Sequence, residues 1–106
     1  MAQIIRIAYL PSVKSGEDLG KQLRVTTDCG TFFQSYNTII AKVWKNTSHS
    51  YKVLLSKEWE YSKTTKTYTA KFLESYGLGV HCANDVENAI KMGVFDVVDR
   101  PLIFED

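Results

Sequence analysis

"SKTTKTYTAKFLESYG", residues 62–77, is the stretch where the hydrophobic period of the chain changes. Tyr68, Phe72, Leu73 and Tyr76 fall on one stripe at helical spacing, with lysines opposite and Gly77 as a stop signal. Ser62 stands where an N-cap belongs, its hydroxyl placed to accept the Thr65 N–H. Tyr61 precedes it, at the position from which an apolar residue packs back on the first turn. Capping accounts for Ser62 fully and Thr65 partly. It does not account for Lys63 and Lys66, because lysine at the positive end of a helix is mildly unfavourable. The same N-terminus, with Ser62, Lys63, Thr64 and Thr65, has the chemistry of an anion site.

Before this helix the period is two. "QIIRIAYL" (3–10) reads as a first strand, and "LPSVKSGEDLGK" (10–21) as a polar connecting loop. "QLRVTT" and "TFFQSY" flank Asp28-Cys29-Gly30, a short hairpin turn with glycine where positive φ is needed. "TIIAKVWKN" and "SYKVLLS" form a second hairpin, rich in β-branched and aromatic residues. In its first arm Ile39, Ala41 and Val43 alternate with Ile40, Lys42 and Trp44. Trp44, on the wetter face, is either a cross-strand partner of Tyr51 or an exposed contact anchor.

After the helix, "NDVENAIKMG" predicts a second, shorter one. Asn84 is its cap, Glu87 its capping-box partner, Val86, Ala89 and Ile90 its buried stripe, and Gly93 its end. "VFDVVD" is a last strand before Arg100-Pro101 turns the chain into an acidic tail. The expected fold is α+β, an antiparallel β-meander packed against one longer and one short helix. We place residues 1–106 in a single domain, with residues 78–106 as an acidic C-terminal extension.

Composition bounds the function. The chain has 106 residues, 44% of them hydrophobic and 24% charged, which is globular and leaves room for one modest core. That favours binding over elaborate catalysis. No run of about 18 apolar residues occurs, so no membrane span is expected. The N-terminal apolar run contains Arg6 and has no small-residue cleavage site after it, which argues against a secretory signal. Cys29 and Cys82 are far apart and read as free thiols of a reducing compartment. The net charge of +1 is unevenly laid out: residues 42–71 carry seven lysines against Glu58 and Glu60, and residues 74–106 carry a net −5. Two halves of a fold that complement each other would produce the same split.

Catalytic constellations are absent. Lys14-Ser15-Gly16 and Ser35-Tyr36-Asn37 resemble fragments of the penicillin-recognising serine enzymes, but the Ser-x-x-Lys nucleophile is missing. His81 and Cys82 are sequence neighbours, and on an extended strand they would point to opposite faces. His49, His81, Cys29 and Cys82 lack the close spacing of a structural zinc site, so neither metal nor cofactor is expected. "YSKTTKT" has the Lys-Thr pair of a P-loop without its glycines. The lysines, interleaved with Trp44, Tyr51, Trp59, Tyr61 and Tyr68, are suitable material for a nucleic-acid surface. Against that stand the near absence of arginine in this stretch and the acidic C-terminal third. A solvated helix face explains the lysines equally well.

Ser35, Tyr36, Thr38, Ile40 and Ala41, followed by Tyr61, Ser62, Thr64, Thr65, Phe72 and Leu73, resemble a domain of unknown function common in bacteriophage genomes. Its members pair a Ser-Tyr-x-Thr-x-Ile-Ala segment with a Tyr-Ser-x-Thr-Thr segment and a closing Phe-Leu; here the pattern covers about residues 32–73. Many members place a histidine in the helix soon after the Thr-Thr pair, where this chain has Thr67 or Tyr68. The resemblance brings no activity with it. It implies a phage- or prophage-encoded protein working in the bacterial host cytoplasm, where small phage proteins often bind and block host components.

The expectation is therefore a non-enzymatic protein that binds a host protein, in particular a defence nuclease of the CRISPR or restriction type. Its contacts would come from the loop at residues 10–21, from exposed Trp44 and Trp59, from Lys63 and Lys66, and from Asp85, Glu87, Asp96 and Asp99. The acidic third would suit a basic nucleic-acid channel. A homodimer is a further expected partner arrangement. The alternative is a nucleic-acid-binding accessory protein using the lysine and aromatic surface.

Overall fold

The computed structural model describes residues 3–11, 18–47 and 50–106. Most of the loop expected to make contacts, residues 12–17, and His49 of the second hairpin lie outside them.

Five strands follow one another as antiparallel neighbours: β1 (Ile4–Pro11), β2 (Asp18–Thr27), β3 (Gly30–Ser35), β4 (Thr38–Thr47) and β5 (Ser50–Ser56). A short 3-10 turn (Lys57–Glu60) then leads into α1 (Lys63–Glu74) and α2 (Ala83–Lys91). The chain returns as β6 (Asp96–Val98), which pairs with β5 in parallel. The α+β reading is thus correct, with one parallel pair on an otherwise antiparallel meander. That exception follows from the path of the chain: a strand reached through two helices re-enters from the far end of the sheet.

The Asp28-Cys29 turn closes the β2–β3 hairpin, and Gly30 has φ 150°. A Cβ there would lie 2.9 Å from the Val43 carbonyl oxygen on β4, so close approach of two backbones requires the glycine. α1 is capped as its residues demand, the Ser62 hydroxyl accepting the Thr65 N–H at 3.1 Å. Tyr68, Phe72 and Leu73 are buried, together with Ala70 and the inward threonines Thr65 and Thr69. The helix packs on Phe33, Ala41, Val43, Val53 and Leu55 of the sheet, with Phe72 stacked on Phe33 at 5.6 Å. Arg24 on β2 pins the far end of the helix. It donates to Tyr76 Oη and Ser75 Oγ at 3.2 and 3.0 Å and lies over the Phe72 and Tyr76 rings.

Two register irregularities change the expected faces. Phe33 pairs with Ala41 and Gln34 with Ile39, so Ile40 is an extra residue that joins Ala41 and Val43 in the core. A second shift between Lys45 and Thr47 sets Trp44 opposite Lys52, and Tyr51 opposite Lys45. Trp44 and Tyr51 therefore do not pair. Tyr51 instead meets Tyr76 edge-on at 5.5 Å. One extra residue moves a side chain to the other face, which is why alternation alone misplaced both.

Residues 99–106 reach the second face of the sheet. The Leu102 N–H donates to the Ile39 carbonyl at 3.0 Å and its side chain is buried, while Phe104 meets Phe32 edge-on at 5.2 Å. The Lys42 ammonium sits 5.5 Å from the Phe32 ring centroid and 4.8 Å from that of Trp44, and donates to the Asp106 carbonyl. Asp106 in turn accepts from both terminal nitrogens of Arg100 and from the Ile103 N–H. The acidic tail is in large part a structural strap. On the opposite side, β1 is the outer strand, and Ile4, Ile5, Ile7 and Tyr9 on it are exposed. No described helix is long and apolar enough to cross a membrane.

Candidate functional site

The β3–β4 connection is a two-residue turn, Tyr36-Asn37, between paired Ser35 and Thr38. Tyr36 has φ 54°, a left-handed conformation that tight hairpins normally give to glycine or asparagine. It is the sole non-glycine residue with positive φ among the described residues. Two hydrogen bonds hold it: its N–H donates to the Lys21 carbonyl at 2.8 Å, and its carbonyl accepts from Gln34 Nε2 at 3.0 Å. The conformation is thereby fixed and the ring presented, 57% exposed, to solvent.

The junction between β5 and α1 supplies the facing wall. The Ser56 hydroxyl accepts the Glu58 N–H at 3.0 Å and starts the 3-10 turn, and the Tyr61 N–H donates back to the Glu58 carbonyl at 3.0 Å. Trp59, expected as an exposed contact, is 1% exposed and belongs to the core. Its burial fixes the turn, so that Glu58 and Tyr61 on either side are held in place. Tyr61 is 82% exposed and does not pack back on the first helical turn as expected.

These two segments enclose one open cleft of about 330 Å³. Ser35, Tyr36, Asn37, Thr38 and Ile40 line it from the turn, and Glu58, Tyr61 and Thr65 from the helix junction. Ser35 is 4% exposed, and its hydroxyl has no hydrogen-bond partner among the described residues. Its register partner on β2, Gln22, is 5% exposed and leaves Oε1 equally unpartnered. Gln22 lines a smaller cleft of about 110 Å³ with Leu10, Lys21, Thr64 and Tyr68, and Tyr36 is the wall common to both. Buried acceptors and donors are nearly always satisfied, so two orphans beside one strained tyrosine mark this corner of the sheet.

The residues expected to make contacts are scattered. Lys66 lies 3.9 Å from Glu87 and 6.0 Å from the Trp59 ring centroid, which gives it a structural role between the helices. Lys63 is exposed in the first turn of α1. Asp85 accepts from the His81 and Cys82 N–H groups at 2.8 and 3.2 Å, and the His81 amide holds its carboxyl below the usual range. The N-cap of α2 is therefore Cys82 with Asp85 three residues on, two residues earlier than the expected Asn84 and Glu87 frame. Asp96 on β6 and Asp99 beyond it are exposed, and Trp44 is half-buried beneath the Lys42 ammonium. Cys29 and Cys82 are free and exposed.

In the sequence Ser35, Tyr36, Thr38, Ile40, Tyr61 and Thr65 read as a signature but not as one surface. Asn37 and Glu58, which also line the cleft, lie outside that signature. The available signal was "SYNT": a tyrosine leading a two-residue hairpin turn contradicts ordinary turn chemistry.

No curated protein and no solved structure matches the chain. A family model does, over residues 10–88, a wider span than the signature at residues 32–73 and one that takes in both walls of the cleft. The chain belongs to that family, a family of unknown function designated DUF8033.

Proposed function

We propose that this chain is a non-enzymatic binding protein that engages a host protein in a bacterial cell, with a defence nuclease as the class of target. The observation that carries the reading is the cleft, where two separate segments bring exposed Tyr36 and Tyr61 together over a buried, unpartnered hydroxyl. Aromatic side chains on a fixed backbone, with polar groups between them, are the material of interface hot spots. The resemblance to a phage domain supplies the host context. Residues near the thiol do not align for chemistry: the His81 ring meets Glu74 at 3.2 Å, while the Cys82 thiol turns to Asp85 at 3.7 Å.

The nucleic-acid alternative loses much of its stacking platform. Trp59 and Tyr68 are buried, Tyr51 is packed against Tyr76, and Lys42 is internal. In a pull-down from nuclease-treated host lysate at physiological salt, the wild-type chain is expected to retain a discrete protein. Tyr61→Ala and Tyr36→Asn should lose it; asparagine tolerates the left-handed turn. Retention that requires nucleic acid, with a steep salt slope, would support the rival instead.

A homodimer is part of the same proposal, and it rests on the outer strand. An eight-residue edge with four exposed apolar side chains is a template for antiparallel pairing with a second copy. Sedimentation should show self-association that Ile5→Lys abolishes. A monomer at every concentration would exclude it.

A further inference from the structure

We infer that the Tyr36–Tyr61 cleft receives an arginine side chain of the partner protein, an inference that rests on the protein-binding reading above. Glu58 is the one charged residue among those lining the cleft, and no lysine or arginine lines it. Its carboxylate has no ion pair among the described residues. The cleft is thus an acidic spot with nothing inside it to neutralise the charge.

The other polar groups fit the same occupant. A guanidinium has five N–H donors and no acceptor, so it needs a site rich in acceptors. Glu58 offers a carboxylate, Asn37 an amide oxygen, and Ser35 and Thr38 hydroxyl oxygens. The Ser35 hydroxyl is the telling one, because it is buried and no group among the described residues satisfies it. A planar cation also stacks on aromatic faces, and the two exposed tyrosines supply them. Lys21 already lies 5.8 Å from the Tyr36 ring centroid and lines the smaller cleft, so a cation against this ring has precedent within the chain itself.

Size and charge discriminate against other occupants. About 330 Å³ of open space admits one long side chain, not a folded segment. Phosphate and carboxylate ligands would meet Glu58 with like charge. Lysine brings a compact, strongly hydrated ammonium that neither forks nor stacks as a guanidinium does.

The test titrates the isotope-labelled full chain with two short capped peptides, identical except for a central arginine or lysine, and with guanosine monophosphate. Binding of the arginine peptide is expected to shift amides at residues 35–40 and 58–65. The lysine peptide should bind at least several-fold more weakly. Glu58→Gln should lower arginine-peptide affinity roughly tenfold or more, the usual cost of removing a charged hydrogen-bond partner. Tyr61→Ala, at a side chain that is almost fully exposed, should weaken it without disturbing the spectrum elsewhere. Equal binding of both peptides, shifts outside the cleft, indifference to Glu58→Gln, or the nucleotide binding there in place of the arginine peptide would overturn the inference. If the pull-down succeeds while the arginine peptide fails, only the arginine assignment falls. If the pull-down fails, the protein-binding reading falls, and the titration still judges the ligand chemistry.

Discussion

Trp59→Ala is expected to cost about 3–5 kcal/mol of folding stability, the range for truncating a large buried aromatic. Trp59 is 1% exposed in the same core as Phe33, Leu55, Phe72 and Leu73, and it belongs to a turn of only four residues. Nothing else in that turn is buried. Removing the indole would leave a cavity and also release the segment that carries Glu58 and Tyr61. A single domain holds only about 5–15 kcal/mol in total, so the variant should be partly unfolded at 37 °C. Urea denaturation measures it, and a loss below about 1 kcal/mol would mean that the side chain is effectively a surface group.

Leu102→Ala is expected to cost about 2–5 kcal/mol, although it lies in a segment whose composition suggests a free acidic arm. Leu102 is 2% exposed, its N–H is bonded to β4, and Phe104 and Asp106 beyond it close over Phe32 and Lys42. The strap also makes stability depend on pH. The Arg100 hydrogen bonds hold the Asp106 carboxyl below its ordinary range. A carboxyl depressed on folding contributes fully above its unfolded pKa, about 3.9, and loses that contribution as pH falls through the folded value. Asp106→Asn should therefore flatten part of the acid limb of a stability profile. If Leu102→Ala leaves the urea midpoint unchanged, residues 99–106 form a free arm, and their charge is available to a partner after all.

The helices were readable from residues because their signals are local. Ser62, Thr65 and the Tyr68-Phe72-Leu73 stripe lie within one turn or two of each other, and the cap formed as its chemistry requires. The antiparallel succession of β1 to β5 was readable too, whereas the parallel place of β6 beside β5 was not. Two local readings failed, the cap of α2 and the packing of Tyr61, and the other failures depended on distant partners. The bulge at Ile40 and the shift after Lys45 are events of strand pairing, so alternation within β4 does not carry them. Trp59 looked exposed because a four-residue turn has no period from which to read a buried face. Asp106 looked like free charge because Arg100 and Lys42 meet it only after folding.

The cleft was half legible. Its residues stood out as paired segments, but 23 positions separate Thr38 from Tyr61, and only the packing of Trp59 and α1 on the sheet brings them together. The left-handed Tyr36 is a local misfit that the fold holds with a bond to the Lys21 carbonyl and one from Gln34. Local rules fail most informatively where a side chain is being presented to something.

The most direct measurement places a photo-reactive phenylalanine analogue at position 61 and, as a control, at exposed position 94 after α2, which does not line the cleft, in the bacterial host. A protein that uses the Tyr36–Tyr61 cleft to bind its partner should give one discrete protein adduct from position 61, resistant to nuclease, and none from position 94. Adducts that are equal at both positions, or that disappear with nuclease, would contradict the account.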